Sequence, residues 1–204
     1  CSGAGNITLQ SVSMAATATV SQTGTFTVLG TTTTAGTAIT AASGLKSFQG
    51  LVTITGGNFT SNNTAPLEFQ AGISNAGTLN QSGAGTVTFT GTQTISGAGA
   101  VTFAGPVTAS ADLNLAKTAG AVTFSNTLTV TGDLDLSSSS TSTVSGVGTV
   151  GSLTTSNGTT LTIGANNFTV SGTASLGGLM VDNNSGGTDT FTGAFSILST
   201  GELR

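Results

Sequence analysis

The chain has no His, no Trp and no Tyr, and one Cys in 204 residues. Without His, a Ser-His-Asp arrangement lacks its base. With no His and a lone Cys, zinc sites of the usual composition cannot be built. Charge is scarce too: 5% of residues, against about 25% in ordinary globular domains. The cations are Lys46, Lys117 and Arg204, too few to neutralise a run of phosphates or to make a basic patch for a membrane surface. No nucleic-acid partner is therefore expected. The acids are Glu68, Asp112, Asp133, Asp135, Asp182, Asp189 and Glu202, and the net charge is a mild −4. No apolar run approaches the roughly 18 residues of a membrane-spanning helix. Helices of any kind are disfavoured by 31 Gly and by abundant β-branched Thr.

What the chain does have is rhythm. GAVTFAGPVTASADLNLAKTA (99–119) is followed without a gap by GAVTFSNTLTVTGDLDLSSSS (120–140), two blocks of 21 residues sharing nine identities. Val101 aligns with Val122, Phe103 with Phe124, Val107 with Leu128, Leu113 with Leu134 and Leu115 with Leu136. Within a block the apolar-x-apolar pairs begin six residues apart, at 101, 107 and 113, then at 122, 128 and 134. Each pair has the period of a strand with one buried face. A block reads as three short strands and three turns. One block alone is marginal: six inward side chains contribute roughly 1.5–3 kcal/mol each, and ordering each residue costs roughly 1–2 kcal/mol. Stacked blocks share a continuous core and cover one another's edges. The spacing therefore predicts an all-β parallel β-helix, three strands per coil of about 21 residues, with nine to ten coils and a rod roughly 45 Å long.

The same step is expected at Ile39, Leu45 and Leu51; at Ile73 and Leu79; at Val144 and Val150; at Phe168 and Ala174; and at Phe191, Ile197 and Leu203. Residues 30–44 and the segment DNNSGGTDT (182–190) are expected as longer excursions at corners. Residues 1–5 are expected as a tether and 6–204 as a single solenoid domain.

GTVTFTG (85–91), GAVTFAG (99–105) and GTTLTIG (158–164) resemble the Gly/Thr/Ser-rich repeats of bacterial surface β-solenoids, such as autotransporter passengers and filamentous-haemagglutinin-like adhesins. The resemblance implies a right-handed parallel β-helix displayed outside the cell, at the bacterial surface. Cys1 as first residue resembles a mature bacterial lipoprotein. That resemblance implies a lipid on Cys1 and outer-membrane anchoring. A disulfide between subunits and an arbitrary start of the sequence remain as alternatives.

Some enzymes are β-helices, so catalytic candidates need weighing. Glycoside hydrolysis takes cooperating carboxylates, and Asp112, Asp133 and Asp135 are the best placed. By alternation they point outward beside the inward leucines 113, 115, 134 and 136, which reads as a solvated acidic edge rather than a calcium or catalytic site. The ten Phe sit mostly at inward positions and read as core. Outward Thr102 and Thr123, and Thr108 and Thr129, stack as ladders. Such ladders can order water against ice, but Thr is also the ordinary outward residue of a strand. No catalytic residue, metal ligand or cofactor is assigned.

The ends carry the functional expectation. The six-residue step runs to Leu203, so Phe191, Phe195, Ile197 and Leu203 form an open apolar edge. Uncovered, such an edge is an aggregation hazard. Docked on the first coils of another copy, near Ile7–Val28, it makes a head-to-tail interface that does not close and so grows into a fibre. The expectation is a homopolymeric structural subunit of an extracellular filament. The alternatives are an anchored surface adhesin and, further off, an ice-binding protein.

Overall fold

Alternation places one side chain of every x-apolar-x step inside and the next outside, and the fold repeats this around a triangle. The computed structural model describes residues 1–40, 43–62, 64–137 and 141–204. Among them there is no helix, and short parallel strands stack as a solenoid of about ten coils with three strands per coil. In the repeated blocks, Val101–Phe103, Val107–Ala109 and Leu113–Lys117 form the three sides of one coil. Val101 lies beside Val122, Phe103 beside Phe124, Val107 beside Leu128 and Leu113 beside Leu134. The repeat in sequence is a repeat in space.

The first face runs from Ile7–Leu9 through Phe26–Val28 and Val87–Phe89 to Thr190–Phe191. The second runs from Val12–Met14 through Ile73–Asn75 to Phe195–Ile197. A third begins at Ser2–Gly3, passes Ala18–Gln22 and Val101–Phe103, and ends at Glu202–Leu203. Coil length is elastic. Lateral partners stand from 19 residues apart (Ile7 and Phe26) to 23 (Leu179 and Glu202). The corners absorb the difference, so strand register survives insertions.

Inside, Val101, Phe103, Val107, Leu113, Leu115, Val122, Phe124, Leu128, Leu134 and Leu136 are all at most 1% exposed. Phe rings form a continuous string. Phe26, Phe48, Phe69 and Phe89 climb the first face with centroids 6.4, 5.5 and 5.5 Å apart. Phe89 then meets Phe103 edge-on at 5.9 Å, and Phe103 stacks on Phe124 at 5.7 Å. Like does not always lie on like. Gly148 sits between Leu128 and Phe168 on the first face, and a Cβ there would stand 2.2 Å from the Phe168 ring. The missing side chain is what makes room for that ring.

Several expected positions shift. Leu45 and Leu51 are not core: they are 37% and 40% exposed, each just ahead of a strand, and Lys46, Phe48, Val52 and Ile54 point inward instead. Lys46 goes inside because its aliphatic stem packs in the core. Its ammonium donates to the carbonyls of Gly24 (3.1 Å), Ser43 (2.9 Å) and Gly44 (2.6 Å) at the corner. Residues 30–40 are not an excursion either. Thr32–Thr34 and Thr37–Ile39 are regular strands whose inward positions are threonines and the expected Ile39, and the Thr34 and Thr37 hydroxyls bond each other at 2.7 Å; 41–42 lie outside the described residues. The segment 183–189 is a long corner as expected. Asp189 holds it, accepting from the Phe168 N–H at 3.0 Å and from the Asn184 amide at 3.2 Å. The first residues, read above as a tether, are laid along the third face, where Ser2 and Gly3 pair with Ser21 and Gln22.

Lys117 is the second inward lysine, and its ammonium donates to the Ser96 carbonyl at 3.3 Å. Burial pushes its ammonium down to about 8 from an ordinary 10.5, and burial lowers Lys46 as well. Between those two pH values the unfolded chain holds the Lys117 proton and the folded chain does not. The unfolded state then binds more protons, so stability rises with pH through this window. The chain has no Tyr or His to mask the effect. We expect the melting temperature to climb between about pH 8 and pH 10.5 and the climb to flatten in Lys117→Met. A wild-type curve that is level or falling there would contradict the inward placement.

Candidate functional site

The two ends of the rod are where this uniform molecule changes character. In the first described coil, Ile7, Leu9, Val12 and Met14 face inward, and among the described residues no full coil lies above them. They are only partly buried, whereas counterparts deeper in the stack reach 0% exposure. With Val20 and Phe26 they line an open apolar cavity of about 320 Å³, and Cys1 sits on its rim. At the opposite end Phe195, Ile197, Leu198 and Leu203 are 37%, 50%, 51% and 45% exposed. Phe191 packs its ring edge-on against Phe195 at 4.8 Å. One end is concave and apolar, and the other presents apolar side chains on the same three faces.

Of the predicted edge residues, Phe195, Ile197 and Leu203 lie together on this surface, and Phe191 is half-buried behind them. Cys1 is exposed and carries no disulfide. The apolar cavity itself was not anticipated. Its inward pairs, Ile7-x-Leu9 and Val12-x-Met14, are visible in the sequence, but the hollow they line with Val20 and Phe26 takes the folded structure to see. Ser2–Gly3 has no apolar signature and was missed as a strand.

Asp112, Asp133 and Asp135 do converge on the outward side of the second face. The Asp133 N–H donates to Asp112 Oδ1 at 2.9 Å, and Asp135 lies beside Asn114 on one side and Thr154 on the other. Burial pushes the Asp133 carboxyl up; a hydrogen bond from Thr154 pulls the other way, and the Asp112 charge adds to the rise. Asp135 is raised by burial and then by Asp133. Among the described residues no group of three or more His, Cys, Asp or Glu is arranged to hold a metal ion.

The outward rows are more regular than the sequence suggested. Along the first face the central outward residues are Thr8, Thr27, Ser47, Glu68, Thr88, Thr108, Thr129, Thr149, Thr169 and Thr190. Glu68 interrupts the row and is held by the Ser47 hydroxyl at 2.7 Å and the Thr90 hydroxyl at 3.1 Å. Thr102, Thr123, Thr143 and Thr162 make a shorter row on the third face.

No protein family, curated protein or solved structure matches the chain.

Proposed function

We propose that the protein is a structural subunit, a rigid rod that polymerises end to end into a filament outside the cell. The observation that carries this reading is the complementarity of the ends. A hollow apolar end faces one way along the axis and an apolar edge faces the other, both on the same triangular outline. Parallel strands have two unlike edges, so head-to-tail stacking continues every hydrogen-bond ladder in its own direction. The interface is heterologous and does not close, which makes it an open polymer. A bacterial surface location and anchoring of the fibre base through a lipid on Cys1 belong to the same proposal. The test is electron microscopy and sedimentation of the purified chain. Filaments whose axial repeat equals one rod, roughly 45 Å, support the reading. Single rods at all concentrations overturn it, and favour a displayed surface module or ends covered by further coils of a longer chain.

A second reading is carried by the threonine row of the first face, unbroken from Thr88 to Thr190. Hydroxyls and methyls repeat there at the strand spacing of roughly 4.8 Å, a surface suited to ordered water. Thermal hysteresis in the presence of ice supports that reading, and its absence removes it.

A further inference from the structure

Charge is sorted on this rod. Lys46 and Lys117 are fully buried, so Arg204 is the one cationic side chain on the surface. The acids stand outside and are shared unevenly among the faces. Glu68 interrupts the outward row of the first face, and Asp112, Asp133 and Asp135 gather on the second. The third face differs from both. Its central outward row climbs from Thr60 through Asn80, Thr102, Thr123 and Thr143 to Thr162, with no charge. Acids return only towards its far end, with Asp182 and with Glu202, which Arg204 pairs at 2.6 Å.

We propose that the third face docks on the third face of a second copy, side by side. Every other pairing of faces presses carboxylates against a surface that has no cation to meet them, and a charge desolvated without a partner is costly. Third face on third face brings together hydroxyls, methyls and amides. Each hydroxyl both donates and accepts, so the two rows can bond across the joint and do not lose water without return. The row is ordered before it docks. Its six side chains are half-buried by their neighbours, and the threonines among them are stiff at χ1. Little side-chain freedom is therefore lost on association. The area is sufficient as well. From Ala18–Gln22 to Leu179–Asp182 the strands of this face run three to five residues, which gives a flat strip of roughly 45 by 15 Å. Two such strips bury on the order of 1,350 Å², inside the range of a specific pair, about 1,200–2,000 Å². The joint uses neither end of the rod. It is open to single rods and to filaments alike, and in filaments the contacts repeat along the axis and reinforce one another.

Small-angle X-ray scattering reads the cross-section of a rod separately from its length, and sedimentation gives the mass. Both are followed through a dilution series for the full chain, for Thr102→Asp with Thr143→Asp on the third face, and for Thr108→Asp with Thr149→Asp, spaced alike on the first face. Circular dichroism confirms folding. The expected result is a wild type two rods thick, a third-face variant one rod thick, and a first-face variant that stays two rods thick. The pair dissociation constant should rise about a hundredfold or more in the third-face variant, since four carboxylates then face one another with no cation between them. A wild type one rod thick at every concentration overturns the lateral joint, and so does equal thinning by the two sets of substitutions. Long particles one rod thick leave end-to-end growth standing without the lateral joint. Short particles two rods thick support the lateral joint and remove end-to-end growth.

Discussion

Phe103→Asp is expected to abolish folding of the central coils, while Thr102→Asp, one residue away, folds. Phe103 is fully buried, between Phe89 at 5.9 Å and Phe124 at 5.7 Å in the ring string. Removing the ring alone costs about 3–5 kcal/mol. An uncompensated carboxylate in its place adds several more, because the Phe89 and Phe124 rings on either side offer it no charge partner. The total approaches the whole stability of an ordinary domain, about 5–15 kcal/mol. Thr102 points out, half-buried between Asn80 and Thr123. An acid there meets no other acid in its row, and the expected change is within about 1 kcal/mol. Circular dichroism and limited proteolysis distinguish the two variants. In a stack of coils the loss spreads from the lesion to its neighbours, so cleavage should begin near residue 103. Equal stability of the two variants would mean that the inward and outward rows are exchanged.

The architecture was legible because a solenoid is read from its period, and the period is written most plainly in residues 99–136. There each inward position but Lys117 is Val, Phe or Leu, or Ala109, and the paired strands match as the alignment implies. Legibility fails where the inward residue is not apolar. Lys46 was passed over for Leu45 because a lysine in a core contradicts hydrophobic patterning. Three corner carbonyls reverse that preference by replacing water around its ammonium. Thr32, Thr34 and Thr37 hid two strands for the same reason, since their methyls fill the core while the hydroxyls of Thr34 and Thr37 satisfy each other. The polar residues that turn inward at corners share one role. Gln81 donates to Gly83 and Gly85 carbonyls, and Gln93 to those of Gln70 and Thr90. A strand pattern has no term for this, because the partner is a backbone group set by the turn rather than by the sequence nearby.

The candidate surface was half legible. The apolar edge at Phe195, Ile197 and Leu203 follows from where the six-residue step stands in the sequence. The hollow that receives it in the proposed filament depends on a depth and shape that three-dimensional stacking alone defines. The strand Ser2–Gly3 is read from neither composition nor period. It is Ser-Gly, and only its pairing with Ser21 and Gln22 gives it meaning.

Ile197→Lys combined with Leu203→Lys is expected to leave the rod folded and stop it from growing. Both side chains are about half exposed in the free rod, at 50% and 45%, so neither lysine need be buried in the monomer. In the proposed filament both positions meet the apolar hollow lined by Leu9, Met14 and Val20. Losing two apolar contacts forfeits roughly 1.5–3 kcal/mol each, and two ammonium groups brought against that lining have no anion to pair with. End-to-end affinity should fall by about a hundredfold to ten-thousandfold. The variant still has an intact hollow end, which accepts the unaltered edge of a wild-type rod. It therefore adds to a wild-type filament and presents a dead edge to the next subunit. Mixed with wild type, it should shorten filaments in proportion to its share, and alone it should form no filament. Circular dichroism and melting unchanged from wild type confirm that folding is intact. Filaments of the double variant with an unchanged axial repeat would show that the rods are not joined through these ends.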